Sequence, residues 1–221
     1  TAAAVNGSSA RDIPGDIGAG RILLEGHFLF DVIDGDADFK KYRVLILPDE
    51  VAITPALKKR LDTYLAKGGK LLLSGASGVD ADGAFMFDIG AKTDGISPYR
   101  PDYVLLNDLV RPASVRSPMV MYLPSRRLKV TEGTSLGDIY DPYFNRTYRH
   151  FCSHKHTPNR PDPSGFACGV KKGSIVYLAH PVFTLYHGLG AVAIRDYAVK
   201  AMRLLLESGS VELDGLPSTG R

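Results

Sequence analysis

The sequence predicts an α/β domain on a doubly wound, mainly parallel sheet, interrupted by a β-rich and loop-rich insertion. Three observations predict it. Val44-Leu45-Ile46-Leu47 and the Leu71-Leu72-Leu73 run inside Lys70–Ser74 are short and unbroken, as parallel strands covered on both faces require. A capped segment of helical period lies between them. The same order of buried strand then helix returns from Ser174 to Glu207, after a long stretch without helical period.

Taken in order, Thr1 to Asp16 is small, polar and broken by proline, and reads as a flexible leading segment. Ile17, Ile22, Leu23, Leu24 and Phe28 predict a short amphipathic helix, followed by an extended Phe30-Asp31-Val32-Ile33 closed by Asp34-Gly35. After the first strand, Thr54 offers an N-cap hydroxyl and Pro55 a residue suited to the first helical turn. Leu57, Leu61, Tyr64 and Leu65 form the buried stripe, and Gly68-Gly69 stops the helix. The second strand runs into the small-residue turn Gly75-Ala76-Ser77-Gly78. From about 79 to 172 prolines recur, and alternating pieces such as Met119-Val120-Met121-Tyr122-Leu123 predict antiparallel strands. Ser174–Ala179 reads as a buried strand. A loop and a long helix near Ala191 to Glu207 follow, with Ile194, Ala198, Met202, Leu205 and Leu206 at helical spacing. The expected organisation is one domain over 17–208, an insertion over 79–172 and a tail over 209–221.

Composition narrows the function. With 221 residues and 44% hydrophobic content the chain can bury a core. Its 27 basic and 24 acidic residues leave +3, spread in short pairs such as Lys40-Lys41, Lys58-Lys59, Arg126-Arg127 and Lys171-Lys172 that read as solvated faces. Nucleic acid is not an expected partner. No apolar run approaches the roughly 20 residues of a spanning helix, so no membrane partner is expected either. Cys152 and Cys168 are too few for a disulfide scaffold, which favours a reducing, cytoplasmic setting. A chain opening on Thr1 is expected of a processed protein or a piece of a longer one.

Two constellations carry candidate chemistry. Asp49 and Glu50 follow a strand's carboxyl end, where doubly wound sheets place ligands, although Asp49 also reads as a loop opener easing the approach to the next helix. Tyr148 to His156 packs His150, His154, His156 and Cys152 together, which are zinc-type donors, with His154 and His156 on one side of a strand. Arg149 and Lys155 raise the local positive potential, and no acid or second cysteine stands at standard spacing. A polar contact surface is therefore favoured over a metal, with Arg146, His150 and His154 as donors to sugar hydroxyls. Gly75-Ala76-Ser77-Gly78 is neither a phosphate-loop nor a dinucleotide fingerprint.

Tyr42-Arg43-Val44-Leu45-Ile46-Leu47-Pro48-Asp49, the capped helix, and Gly68-Gly69-Lys70-Leu71-Leu72-Leu73-Ser74-Gly75 resemble the middle, trimerisation domain of family 42 β-galactosidases. Residues 17–80 and 173–208 carry the resemblance, and it implies a flavodoxin-like fold related to class I glutamine amidotransferases. The segments Asp141-Pro142-Tyr143-Phe144-Asn145-Arg146-Thr147 and His150-Phe151-Cys152-Ser153-His154 are similar to insertions in related glycoside hydrolases. The resemblance implies a non-catalytic accessory domain without a cofactor. Its partners would be a catalytic barrel of the same parent chain, a carbohydrate substrate, and further copies in a trimer with active sites near subunit boundaries.

Amidotransferase chemistry needs a cysteine on the turn after a strand and a His-x-Glu pair after a later one. Ser77 stands on that turn without an evident base, and His180-Pro181-Val182 has valine where the orienting acid belongs, so His180 is expected to lack a carboxylate partner. A glycosidase active site needs two facing carboxyls on a rigid scaffold, and a (β/α)₈ barrel takes about 250 residues. Neither fits this chain alone. The alternative is a stand-alone small-molecule-binding or enzyme domain of amidotransferase-like fold, using the strand ends near Asp49, Ser74 and His180.

Overall fold

The computed structural model describes residues 13–152 and 156–206. Helix α1 (Pro14–Glu25) opens on a proline, whose missing N–H costs nothing there, and buries Gly15, Gly18, Ala19 and Ile22. The following segment joins no ladder: the strand expected at 30–33 does not form. Phe28 and Ile33 rest partly buried against the core, while Leu29 is fully exposed and Val32 largely so.

Strand β1 (Val44–Leu47), helix α2 (Pro55–Ala66) and strand β2 (Lys70–Ser74) form the expected crossover, with β1 and β2 parallel from Val44↔Lys70 to Leu47↔Leu73. Thr54 caps α2 by accepting from the Leu57 N–H at 3.2 Å, and Gly68 ends it at φ 86°, a left-handed conformation that glycine adopts without penalty. Strand β10 (Ile175–Leu178) pairs parallel with the other side of β2, and all four of its residues are buried.

Between β2 and β10 lie β3 (Ala91–Ile96), β4 (Asp102–Leu106), β5 (Met119–Met121), β6 (Arg126–Val130), β7 (Thr134–Ser135), β8 (Gly137–Tyr140) and β9 (Gly169–Lys172). β3 pairs with β6, and β5-β4-β8 forms a second antiparallel sheet. β9 and β7 instead extend the main sheet, whose order is β1-β2-β10-β9-β7. The sheet is therefore mixed. Lys172 ends β9, Ile175 begins β10, and Gly173 sits at φ 52° between them. A connection this short can only reverse the chain, which makes the pair antiparallel.

Two helices close the fold. Helix α3 (Val182–Leu189) occupies what the sequence reads as a loop, and α4 (Val192–Arg203) ends earlier than its apolar spacing suggests. α1 packs chiefly on α3 and also meets α4. A Cβ on Gly18 would lie 2.0 Å from the Phe183 carbonyl oxygen, so the α1–α3 approach depends on that glycine. Glu25 ties the three helices together, accepting from the Tyr186 hydroxyl and pairing with Arg195 at 3.3 Å. Leu71, Leu72, Leu73, Tyr177, Phe183 and Tyr197 are the buried centre. Among the described residues no helix is long and apolar enough to cross a membrane.

Candidate functional site

At the carboxyl ends of β1 and β2 the chain is closed on itself. Asp49 sits at φ 53° and is almost wholly buried. Its N–H donates to Ser74 Oγ at 2.9 Å, while Ser74 Oγ donates to Asp49 Oδ1 at 2.5 Å. Asp49 Oδ2 accepts from the Thr184 N–H at 2.6 Å, which makes it the cap of α3. The loop acid thus serves a helix far along the chain, not the one that follows it, and α3 itself carries no side-chain cap of its own. Burial raises the Asp49 pKa, against the bonds from Ser74 and Thr184 that favour the charged form. Ser77 Oγ accepts from the Val51 N–H at 2.8 Å, so both turn hydroxyls are engaged with the loop after β1.

His180 departs from expectation. It does have a carboxylate partner: Nε2 lies 2.5 Å from Asp102 Oδ1, and both side chains are fully buried. Asp102 opens β4 and also accepts from Ser125 Oγ at 2.6 Å. Burial works to raise its pKa, but the charge of His180 and the bonds from His180, Ser125 and Ser97 outweigh it and hold the carboxyl below its usual range. With Nε2 donating to Asp102, the buried Nδ1 has no hydrogen-bond partner among the described residues. A His–Asp pair resembles two of the three members of a nucleophilic triad. Ser74 and Ser77 already bond to the loop after β1, so neither is presented as its nucleophile.

A second region is open. Arg127, nearly buried on β6, donates to Asp141 Oδ1 at 2.6 Å and to Ser97 Oγ at 3.0 Å, with Phe166 against its guanidinium at 4.9 Å. That anchors the start of the 141–151 loop. Asn145 fixes it further, its amide donating to the Pro98 carbonyl at 2.7 Å and its oxygen accepting from the Arg100 N–H at 3.0 Å. Phe144 stacks on His150 at 3.6 Å and 16° between planes, and Thr147 Oγ1 accepts from the His150 N–H at 3.1 Å. The braced loop presents Tyr143, Tyr148 and Phe151 at 55%, 80% and 61% exposure. Arg146, Thr147, Tyr148 and Phe151 line a recess of about 420 Å³.

The predicted site residues therefore separate. Arg146 and His150 share the open loop, Asp49 and His180 belong to buried networks, and His154 lies outside the described residues. Cys152 Sγ donates to the His156 carbonyl at 3.4 Å, and the His156 ring faces Tyr122 and Tyr103. Among the described residues no three His, Cys, Asp or Glu side chains gather as a metal site. Sequence reasoning missed Asp102, whose only signal is an acid before an apolar strand run.

Residues 21–92 match the family described as the β-galactosidase trimerisation domain. The structure is similar to that of α-L-fucosidase isoenzyme 2 from Paenibacillus thiaminolyticus, with 36% identity, a TM-score of 0.83, and 88% of this chain aligned to 30% of that one. A GH42 β-galactosidase from G. stearothermophilus shares the fold at 18% identity and a TM-score of 0.54, over 86% of this chain and 25% of its own. A ThuA-like protein from Bacteroides uniformis does so at 15% and 0.53, over 86% of this chain and 82% of its own. The chain thus spans less than a third of the fucosidase and of the galactosidase. No curated protein matches it.

Proposed function

We propose that this chain is the self-associating accessory domain of a glycoside hydrolase, docked on a catalytic barrel of the same polypeptide, with its 141–151 loop at the rim of the sugar pocket. The observation that carries the reading is the likeness of 88% of the chain to under a third of a fucosidase, at 36% identity. The trimerisation-domain match at 21–92 supports association with further copies. The parallel β1-β2-β10 half of the sheet supports a flavodoxin- and amidotransferase-like ancestry.

The loop fits a carbohydrate-facing role because it is rigid and exposed together. A ring held out of water's reach cannot stack on a sugar, and a floppy one loses side-chain entropy when it does. Tyr148 and Phe151 are exposed, and the loop that carries them is braced at Asp141, Asn145 and the Phe144–His150 stack. Arg146 supplies donors beside them. By this reading the isolated chain hydrolyses neither nitrophenyl glycosides nor glutamine.

The test uses the longer polypeptide containing this chain. Tyr148→Ala with Phe151→Ala should lower kcat/KM on its best nitrophenyl glycoside by about tenfold, equivalent to about 1.4 kcal/mol, without changing Tm. Unchanged kcat/KM would remove the loop from the pocket. A parent that sediments as a monomer at high concentration would defeat the association role.

A further inference from the structure

Two of the short basic pairs, Lys40-Lys41 and Lys58-Lys59, each send one member into a common groove. Lys40 from the 3-10 turn Phe39–Lys41, Arg43 before β1, and Lys59, Arg60 and Lys67 along α2 line one groove of about 530 Å³ at the amino-terminal end of β1 and β2. This is the end of the sheet opposite Asp49, Ser74 and His180. The one acid in the lining is Asp38, and its Oδ1 already accepts from the Lys40 N–H at 3.2 Å.

Helix geometry accounts for the stripe. Lys59, Thr63 and Lys67 recur every fourth residue and so share a face of α2. Lys67 at the helix end would gain from the terminal carbonyls whatever its purpose. Lys59, near the start of α2, has no such reason to be there, and like charges that converge repel. Neither they nor Lys67 form an ion pair with a described acid. Arg60 is held in place: it donates to the Ala37 carbonyl, lies 4.5 Å over the Phe39 ring, and has Asp36 at 3.7 Å. A guanidinium held in place beside ammonium groups without an acidic partner is a prepared anion site.

We propose that this groove binds an acidic oligosaccharide through its carboxylates. The volume falls in the range of about 300–1,000 Å³ typical of ligand sites and exceeds what a single small anion fills. The cations line both walls, which suits charges repeated along a chain. The choice of a glycan over another polyanion rests on the glycoside-hydrolase reading above. The groove shares no lining residue with the recess on the 141–151 loop.

The test is calorimetric titration of the 221-residue chain with a galacturonate tetramer and, separately, with the uncharged galactose tetramer of the same linkage. The acidic tetramer should bind, the neutral one should not, and affinity should fall as salt screens the groove. Lys59→Glu with Lys67→Glu should weaken binding by about tenfold or more. Lys92→Glu with Arg116→Glu, an equal charge change at two exposed positions outside the groove, should leave it intact. No binding of the acidic tetramer, equal loss with the Lys92→Glu, Arg116→Glu pair, or equal binding of an acidic peptide or oligonucleotide of the same charge would each overturn the proposal. Loss of the groove with the Tyr148 and Phe151 effect retained would leave the accessory-domain reading standing.

Discussion

Two glycines two positions apart on one helix should respond in opposite ways to the same substitution. In Gly18→Ala the new Cβ would stand 2.0 Å from the Phe183 oxygen and 2.7 Å from its carbonyl carbon. An ordinary C···O contact is no closer than about 3.3 Å, so α1 and α3 must part by about 1.3 Å. Both obstacles are backbone, which places the cost near the upper end of the usual 1–3 kcal/mol for overpacking, offset by about 1 kcal/mol of helix propensity. The net expected loss is about 2 kcal/mol. A Cβ on Gly20 meets nothing within 4 Å, so Gly20→Ala should gain up to about 1 kcal/mol. For a domain of this size each kcal/mol moves Tm by about 2–4 °C, so the variants should differ by about 6–12 °C in calorimetric melts. Equal Tm values, or stabilisation by both, would refute the α1–α3 packing.

Asp102→Asn should cost about 3 kcal/mol at neutral pH, because the amide keeps one acceptor oxygen but turns a donor toward the other partner, leaving either His180 or Ser125 unpaired in a buried site. Asp102's folded pKa is depressed, so its stabilisation is present above the unfolded value near 3.9 and lost as pH falls through the folded one. The gap between parent and variant should therefore narrow below about pH 4, and a gap constant from pH 7 to 3 in urea melts would contradict the pairing. Cys168 is fully buried and its thiol is pushed up to about 12, so it should resist aromatic disulfide reagents until the protein unfolds. Mass mapping that finds Cys168 modified in the native protein would refute that burial.

What was legible in the sequence is what local chemistry decides. β1, α2 and β2 could be read because an apolar run, a Thr-Pro start and a Gly-Gly stop all lie within the segment they shape. α3 could not, since its cap is the carboxylate of Asp49 and its own first turn offers no capping side chain. Asp102 escaped for the same reason, as nothing near His180 points to β4. The 143–151 loop announced its residue types, but not that Phe144 would stack on His150 while Tyr148 and Phe151 stayed exposed. The antiparallel half of the main sheet hinged on one short turn at Gly173 inside a region whose prolines hide its strands.

The central place of β10 sets a hazard during synthesis. Leu71 on β2 pairs with Ile175, so once β1, α2 and β2 have left the ribosome, one side of β2 stays uncovered until the rest of the main sheet has been made. At roughly 5 to 20 residues per second that wait is between about 5 and 20 s. An apolar strand edge exposed for so long invites pairing with neighbouring nascent chains, and sister copies on one polysome all present the same Leu71-Leu72-Leu73 edge. Yield on expression should therefore depend on translation speed and on holding chaperones more than on the stability of the finished fold.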